Sequence, residues 1–221
     1  MTLFRVEARP RVCPMPTRYM LVRTVLAGSL LWTGVAQALT LPELLSAMSA
    51  LPEQRAEFDE QKHLAMLDKP LHASGTLLYR RPDFLEQRTN PPADEIMTVA
   101  GDRLTITWPS RQERRTLSLS ANPVAWAFVE SIRATLAGDR AALERFYWVT
   151  LSGEMSHWSL TLEPRASGVA SYVKSITLSG KGSSIEQVDV LEANGDRSLM
   201  DIKSLSEQGP NQTPNQTHRT P

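Results

Sequence analysis

The sequence predicts a mainly β fold of the α+β class, with about ten or eleven strands and about three short helices in one domain. Three observations carry that expectation. Over much of the chain, apolar side chains alternate with polar ones in short segments, the period of a half-buried strand. Clusters of Pro, Gly, Asn and Asp separate those segments at hairpin spacing. Helical spacing of apolar residues is confined to a short stretch near Leu41 and a longer one after Asn122.

The chain opens with a leader. Arg18 and Arg23 flank the start of a short apolar run, Val25 to Trp32, and Ala36-Gln37-Ala38 supplies the small-x-small pattern that a signal peptidase reads. The run falls well short of the roughly 18 residues that a membrane-spanning helix needs. Residues 1–38 are therefore expected to be an export leader cleaved near Ala38, with Met15 or Met20 as conventional starts inside it. The one cysteine, Cys13, lies in this leader. The exported product is then expected to have no disulfide, no thiol nucleophile and no cysteine to carry a lipid, so it should be soluble.

Thr40, Pro42 and Glu43 form a helix start: a hydroxyl cap, proline in the first turn and an early carboxylate. Leu41, Leu44, Leu45 and Met48 extend that helix to about Leu51. After Pro52 the period becomes two. Leu71, Ala73, Gly75, Leu77 and Tyr79 alternate with His72, Ser74, Thr76 and Arg80. Strands follow at Phe84–Thr89, Glu95–Val99, Arg103–Trp108 and Arg114–Leu119, separated by Asn90-Pro91-Pro92, Ala100-Gly101-Asp102 and Pro109-Ser110. Asn122-Pro123 opens a helix with Ala125, Phe128, Val129, Ile132 and Leu136 along one side, and Gly138 ends it. Asp139 caps a further turn or two through Leu143 and Phe146. Strands resume at Tyr147–Leu151, Trp158–Leu162, Val173–Ser179, Ile185–Leu191 and Arg197–Lys203, the last two joined by an Asn194-Gly195 hairpin signal. Residues 206–221 form a polar tail rich in Pro, Asn and Thr, with nothing to bury, and are expected to be disordered. Its two N-x-T sequons, at Asn211 and Asn215, read as accidents of composition.

A sheet of this size has a long apolar face that three small helices do not cover. It closes into a barrel, pairs with a second sheet, or keeps an open apolar concavity; periodicity does not choose among the three.

Formal charge is zero over all 221 residues. The leader holds Arg5, Arg9, Arg11, Arg18 and Arg23 against Glu7, so the remainder is mildly acidic. Such a surface has no electrostatic means of gripping nucleic acid. The local run Arg111, Arg114 and Arg115 reads as a solvated turn and strand edge. His63, His72, His157 and His218 have no metal-ligand spacing. The stretch Ser179–Ser184 lies between two strands and lacks phosphate-loop spacing, so it is a hairpin turn. Asp59 and Glu60 are neighbours on a strand and point to opposite faces. No constellation for catalysis emerges, and no enzyme is expected. Trp108, Trp126, Trp148, Trp158, Phe128 and Phe146 are available to line a cavity, although each taken singly reads as core.

The order of three further segments is informative. Ala56–Gln61 (AEFDEQ) is followed by Ser74–Pro82 (SGTLLYRRP) and then by Val99–Leu104 (VAGDRL). This order resembles the LolA family of periplasmic lipoprotein carriers, with its F-x-x-Q strand, its S-G-x-L-x-x-x-R-P strand exit and its D-G-x-x-L turn. Here that turn reads Gly-Asp. The likeness runs from Leu41 to Leu205, within a carrier domain expected at residues 39–205. The stretch Val129–Asp139 is similar to a LolA-related branch found beside acyl-lipid and polyene-pigment biosynthesis genes.

The resemblance implies a strongly curved antiparallel sheet forming an unclosed half-barrel, with short helices capping its concave apolar face and acyl chains held between. It implies a periplasmic monomer without cofactor or metal. Its cargo would be an acylated lipoprotein or other lipid, collected from an inner-membrane ABC exporter and delivered to an outer-membrane receptor. By position, Arg81 matches the arginine that helps hold the lid closed and hand cargo on, although Arg80 stands beside it. Phe58, Leu77, Tyr79, Leu104, Ile106, Trp126, Phe128 and Ile132 are the expected ligand-binding residues. A sensor or regulatory module, or a structural accessory of an envelope biosynthetic system, would use the same half-barrel.

Overall fold

The cap at Thr40 forms as its residues dictate. The Thr40 amide and hydroxyl both donate to the Glu43 carboxylate, at 2.9 and 2.8 Å, and hold that carboxyl below its ordinary range. Helix α1 (Leu41–Ser49) follows, burying Leu44, Leu45 and Met48. It stops two residues earlier than its apolar spacing suggests, because Pro52 pushes the preceding residue toward extended backbone. The computed structural model describes residues 38–205. All but the last residue of the expected leader, and the expected tail 206–221, lie outside the described residues.

Six strands come next: β1 (Glu53–His63), β2 (Leu71–Arg80), β3 (Phe84–Thr89), β4 (Glu95–Ala100), β5 (Arg103–Trp108) and β6 (Glu113–Ser118). Helices α2 (Pro123–Ala137) and α3 (Arg140–Phe146) then cross over. Five strands return: β7 (Tyr147–Glu154), β8 (His157–Pro164), β9 (Val173–Lys181), β10 (Ser184–Glu192) and β11 (Arg197–Ser204). They form one sheet in the order β6-β5-β4-β3-β2-β1-β11-β10-β9-β8-β7, antiparallel at every pair. Strands β6 and β7 are its two edges. The sheet is not closed, so the open concavity is the solution adopted.

Glycines opposite aromatics mark where strands come unusually close. A Cβ on Gly75 would lie 1.8 Å from the Arg88 carbonyl oxygen and 2.9 Å from the Phe58 ring. A Cβ on Gly180 would lie 2.0 Å from the Ser184 carbonyl oxygen and 2.7 Å from the Trp158 ring. Phe58 is the register partner of Gly75, and Trp158 of Gly180. In each case a missing side chain admits backbone, and the facing ring fills the space. Glycine kinks and bulges are how sheets acquire curvature, and the β9–β10 register shifts between Ile185 and Gln187, next to the second glycine.

Helix α2 is fixed at both ends. The Asn122 side-chain oxygen accepts from the Ala125 amide at 3.1 Å, and Gly138 ends the helix in the left-handed region. Asp139 caps α3 through the Ala142 amide at 2.9 Å. The buried Tyr147 hydroxyl donates to the Ala127 carbonyl at 2.6 Å, joining β7 to α2; burial raises this phenol far above its usual value.

Two local features depart from the sequence reading. The sixth strand covers Glu113–Ser118, and Leu119 instead begins a 3-10 turn to Ala121, where it is buried. Asp102 organises that turn, accepting from the Ser118 hydroxyl at 2.5 Å and the Ser120 amide at 2.9 Å. A fourth helix, α4 (Ser167–Ala170), is a single turn too short to leave a periodic signature. Strand β6 is exposed along its whole length, and the Arg115 guanidinium lies 5.7 Å from the Trp108 ring centre. Its charges suit an edge that must not pair with other chains. No helix among the described residues is long and apolar enough to cross a membrane.

Candidate functional site

On β1 the inward side chains are Gln54, Ala56, Phe58 and Glu60, and register carries the same face across the neighbouring strands. One row runs Gln54, Tyr79, Leu85, Val99; the next runs Ala56, Leu77, Gln87, Met97. Opposite stand Phe128, Ile132 and Leu136 of α2, at the i, i+4, i+8 spacing of one helix face. Between these surfaces lies a cavity of about 110 Å³, which Val188, Met200 and Ile202 also line.

The cavity lies where two packed clusters adjoin, and both contribute to its lining: Tyr79, Leu136, Val188 and Met200 from the larger, Val99 and Val129 from the smaller. The larger includes Leu160, Leu162, Ile176, Leu178, Leu143 and the inner face of α1. The smaller contains Val99, Leu104, Leu119 and Val129. Ala56 contributes little side-chain volume to the cavity wall.

The eight expected ligand-binding residues separate into three groups. Leu77, Tyr79, Phe128 and Ile132 come together as cavity wall. Phe58 is buried against Gly75 in the larger cluster, Leu104 is buried in the smaller, and Ile106 packs on the smaller. Trp126 lines a separate shallow groove with Pro123, Tyr147 and Val169, where its ring meets Phe146 edge-on at 4.9 Å between centres. Of the other aromatics, Trp158 is core, and Trp148 is 58% exposed with the Arg165 guanidinium 3.6 Å from its ring centre. Sequence reasoning did not single out Gln54, Gln87, Met97, Val188, Met200 or Ile202. Only the strand register reveals them, since β1 draws its neighbours from opposite ends of the chain.

Polar groups are sparse in this wall. The Gln54 side-chain nitrogen is buried with no hydrogen-bond partner. The Gln87 nitrogen donates to the Thr89 hydroxyl at 3.4 Å. The Tyr79 hydroxyl donates to the Pro82 carbonyl at 3.4 Å, and burial raises its phenol above the usual value against the opposing pull of Arg81 and Arg133. Among the described residues no group of three or more His, Cys, Asp or Glu is placed to hold a metal ion.

Two arginines tie the helices to the sheet. Arg81, just past β2, donates from its guanidinium to the Ser49 carbonyl at the end of α1, and its amide donates to the Pro52 carbonyl at 3.0 Å. The last carbonyls of a helix lack partners within it and carry its negative dipole end, so a cation there is well matched. Arg133 of α2 donates to the Gly101 carbonyl in the β4–β5 turn at 3.2 Å. The arrangement leaves an apolar cavity behind helices joined to the sheet by a few polar contacts.

No curated protein matches the chain significantly. Among solved structures, a LolA superfamily protein from Nitrosomonas europaea is 14% identical, with 75% of this chain and 92% of that one aligned at a TM-score of 0.41. A DUF1329 family protein from Desulfovibrio piger is 12% identical over 77% of this chain and 92% of that one, with a TM-score of 0.46. A chain of the Pseudomonas aeruginosa MucA/MucB complex is 11% identical over 78% of this chain and 57% of that one, with a TM-score of 0.41. A family model described as "Outer membrane lipoprotein carrier protein LolA-like" matches residues 33–205, which takes in every described element, and the chain belongs to that family.

Proposed function

We propose that this protein binds the acyl chains of a lipoprotein or another lipid between β1–β4 and α2 and shuttles them through the periplasm from inner to outer membrane. The observation that carries this reading is the apolar cavity between the sheet and α2, bordered by both packed clusters. Leu77, Tyr79, Phe128 and Ile132 would touch the cargo, while Phe58, Leu104 and Ile106 support the walls. The donor would be an inner-membrane ABC exporter and the acceptor an outer-membrane receptor, as in the family. The Val129–Asp139 resemblance favours a branch serving acyl-lipid or polyene biosynthesis.

Magnitudes say how such a carrier must work. Three acyl chains of about 15 methylenes represent about 36 kcal/mol of transfer from water. Non-covalent affinity saturates near about 20 kcal/mol, and the donor membrane already provides the same burial. A carrier therefore needs only a small net preference, tuned by the cost of parting its helices from the sheet. Helix α2 and the Arg81 tie to α1 would set that cost.

The test is direct. Delipidated protein titrated with a fluorescent fatty acid should bind it, shift its tryptophan emission and melt at a higher temperature. Saturating lipid that leaves both emission and thermal midpoint unchanged would overturn the reading. Mass spectrometry of lipid copurifying after mild isolation should then identify the cargo.

A further inference from the structure

We infer that Gln54 is the polar anchor of the cavity: its amide donates to the ester or amide carbonyl at the head of a bound acyl chain. The site would then select carbonyl-headed chains over plain hydrocarbon. This inference rests on the carrier reading and sharpens its substrate class.

A polar side chain interrupts the apolar wall. Gln54 stands near the start of β1, directly opposite Tyr79, in a row continued by the apolar Leu85 and Val99. Its side chain borders the cavity, and its nitrogen, covered by protein atoms, has no partner, so it would turn toward a carbonyl as the cavity widens around cargo. Buried donors are almost always satisfied, and an exception in a folded protein calls for a cause. A wall that only had to fill space would take leucine or methionine here. The other amide in the lining, Gln87, already donates to Thr89. Of the two, one is engaged and one is free.

The chemistry narrows the ligand. A neutral amide supplies two N–H donors to a carbonyl oxygen and offers a carboxylate no compensating charge. The charged residues bordering the cavity are already paired, Arg55 with Glu53 at 2.7 Å and Glu86 with Arg88 at 2.6 Å. An ester- or amide-linked acyl chain therefore fits better than a free fatty acid. Position supplies a direction as well. Gln54 lies at the end of the cavity beside Pro52 and the Arg81 latch, whereas Met200 pairs with Glu60, six positions further along β1. A chain with its head at Gln54 would run from there toward Met200.

The experiment uses two probes that share pyrene and a twelve-carbon chain: the methyl ester of pyrene-dodecanoic acid, and dodecylpyrene. Wild-type protein should bind the ester about tenfold more tightly, the worth of one buried hydrogen bond. Gln54→Leu, and Gln54→Met as a variant closer in shape, should keep the hydrocarbon affinity while the ratio falls to about one. Either variant, when empty, should melt no lower than wild type, because the donor it removes has no partner. Equal wild-type affinity for both probes, a ratio unchanged in the variants, or a lowered midpoint would each overturn the anchor and leave the carrier reading intact. Failure of both probes to bind wild type would overturn the carrier reading and the anchor together.

Discussion

On β8 and β9 the inward residues Leu160, Leu162, Ile176 and Leu178 are completely covered, packed among themselves and under the helices. On β1 and β3 the same face presents Gln54, Gln87 and Thr89, and the space above Leu77 is left unfilled. Both regions belong to one continuous sheet with one alternation rule. The difference teaches that scaffold and binding surface are separated along the sheet: β7–β9 with α1 and α3 supply stability, while β1–β4, β10 and β11 border the cavity under α2. Glycine-aromatic pairs mark both regions, so close strand approach belongs to the scaffold as much as to the site.

The comparison predicts unequal costs for the same deletion. Leu178→Ala should cost about 4 kcal/mol, because its surroundings are closed and a cavity would remain. Leu77→Ala should cost only about 1 kcal/mol, since the side chain already borders empty space, while weakening lipid binding. Urea denaturation of the pair checks this, and equal losses would break the distinction. Next in size is Gly75→Ala. The added methyl would collide with the Arg88 backbone oxygen, so about 2–3 kcal/mol should be lost in the same assay. A neutral outcome would mean that β2 and β3 can separate there at no cost.

Much of this division was legible in the residues themselves. Thr40, Pro42 and Glu43, then Asn122, Pro123 and Gly138, marked helix ends because capping is local chemistry. Alternation from Leu71 to Tyr79 marked β2 and its buried face. The choice of an open sheet was not available from periodicity and came from the family resemblance. Cavity lining was less legible. Leu77, Phe58 and Leu104 look alike in sequence, as apolar residues at inward positions. What separates them is what lies above: Leu104 meets Val129 and Leu119 within a packed cluster, whereas Leu77 meets a gap. Gln54 gave no signal at all, because its significance depends on neighbours brought in by β2 and, from the other end of the chain, β11.

Smaller effects sharpen the boundary between scaffold and latch. Arg81→Leu should leave the protein folded and cost about 1.5 kcal/mol, the worth of a hydrogen bond from a charged group. It should nevertheless slow onward transfer of cargo about tenfold or more, or trap it; a wild-type transfer rate would count against the latch. The smallest effect concerns acid. The Ser118 hydroxyl, followed by the Ser120 amide, holds the Asp102 carboxyl below its ordinary range. Its stabilisation is therefore fully present above the unfolded value of about 4 and is lost as pH falls through the lower folded value. Asp102→Asn should flatten the thermal midpoint's dependence on pH below about 4, and an unaltered profile would remove Asp102 from that account.

The central claim is that acyl chains occupy the space under α2 on the β1–β4 side. Methyl NMR with a nitroxide-labelled stearate measures it most directly. Resonances of Leu77, Met97 and Ile132 should broaden on binding, while those of Leu160, Leu162 and Leu178 remain sharp. Broadening centred on Val169 in the groove beside Trp126, or spread evenly through both sets, would contradict it.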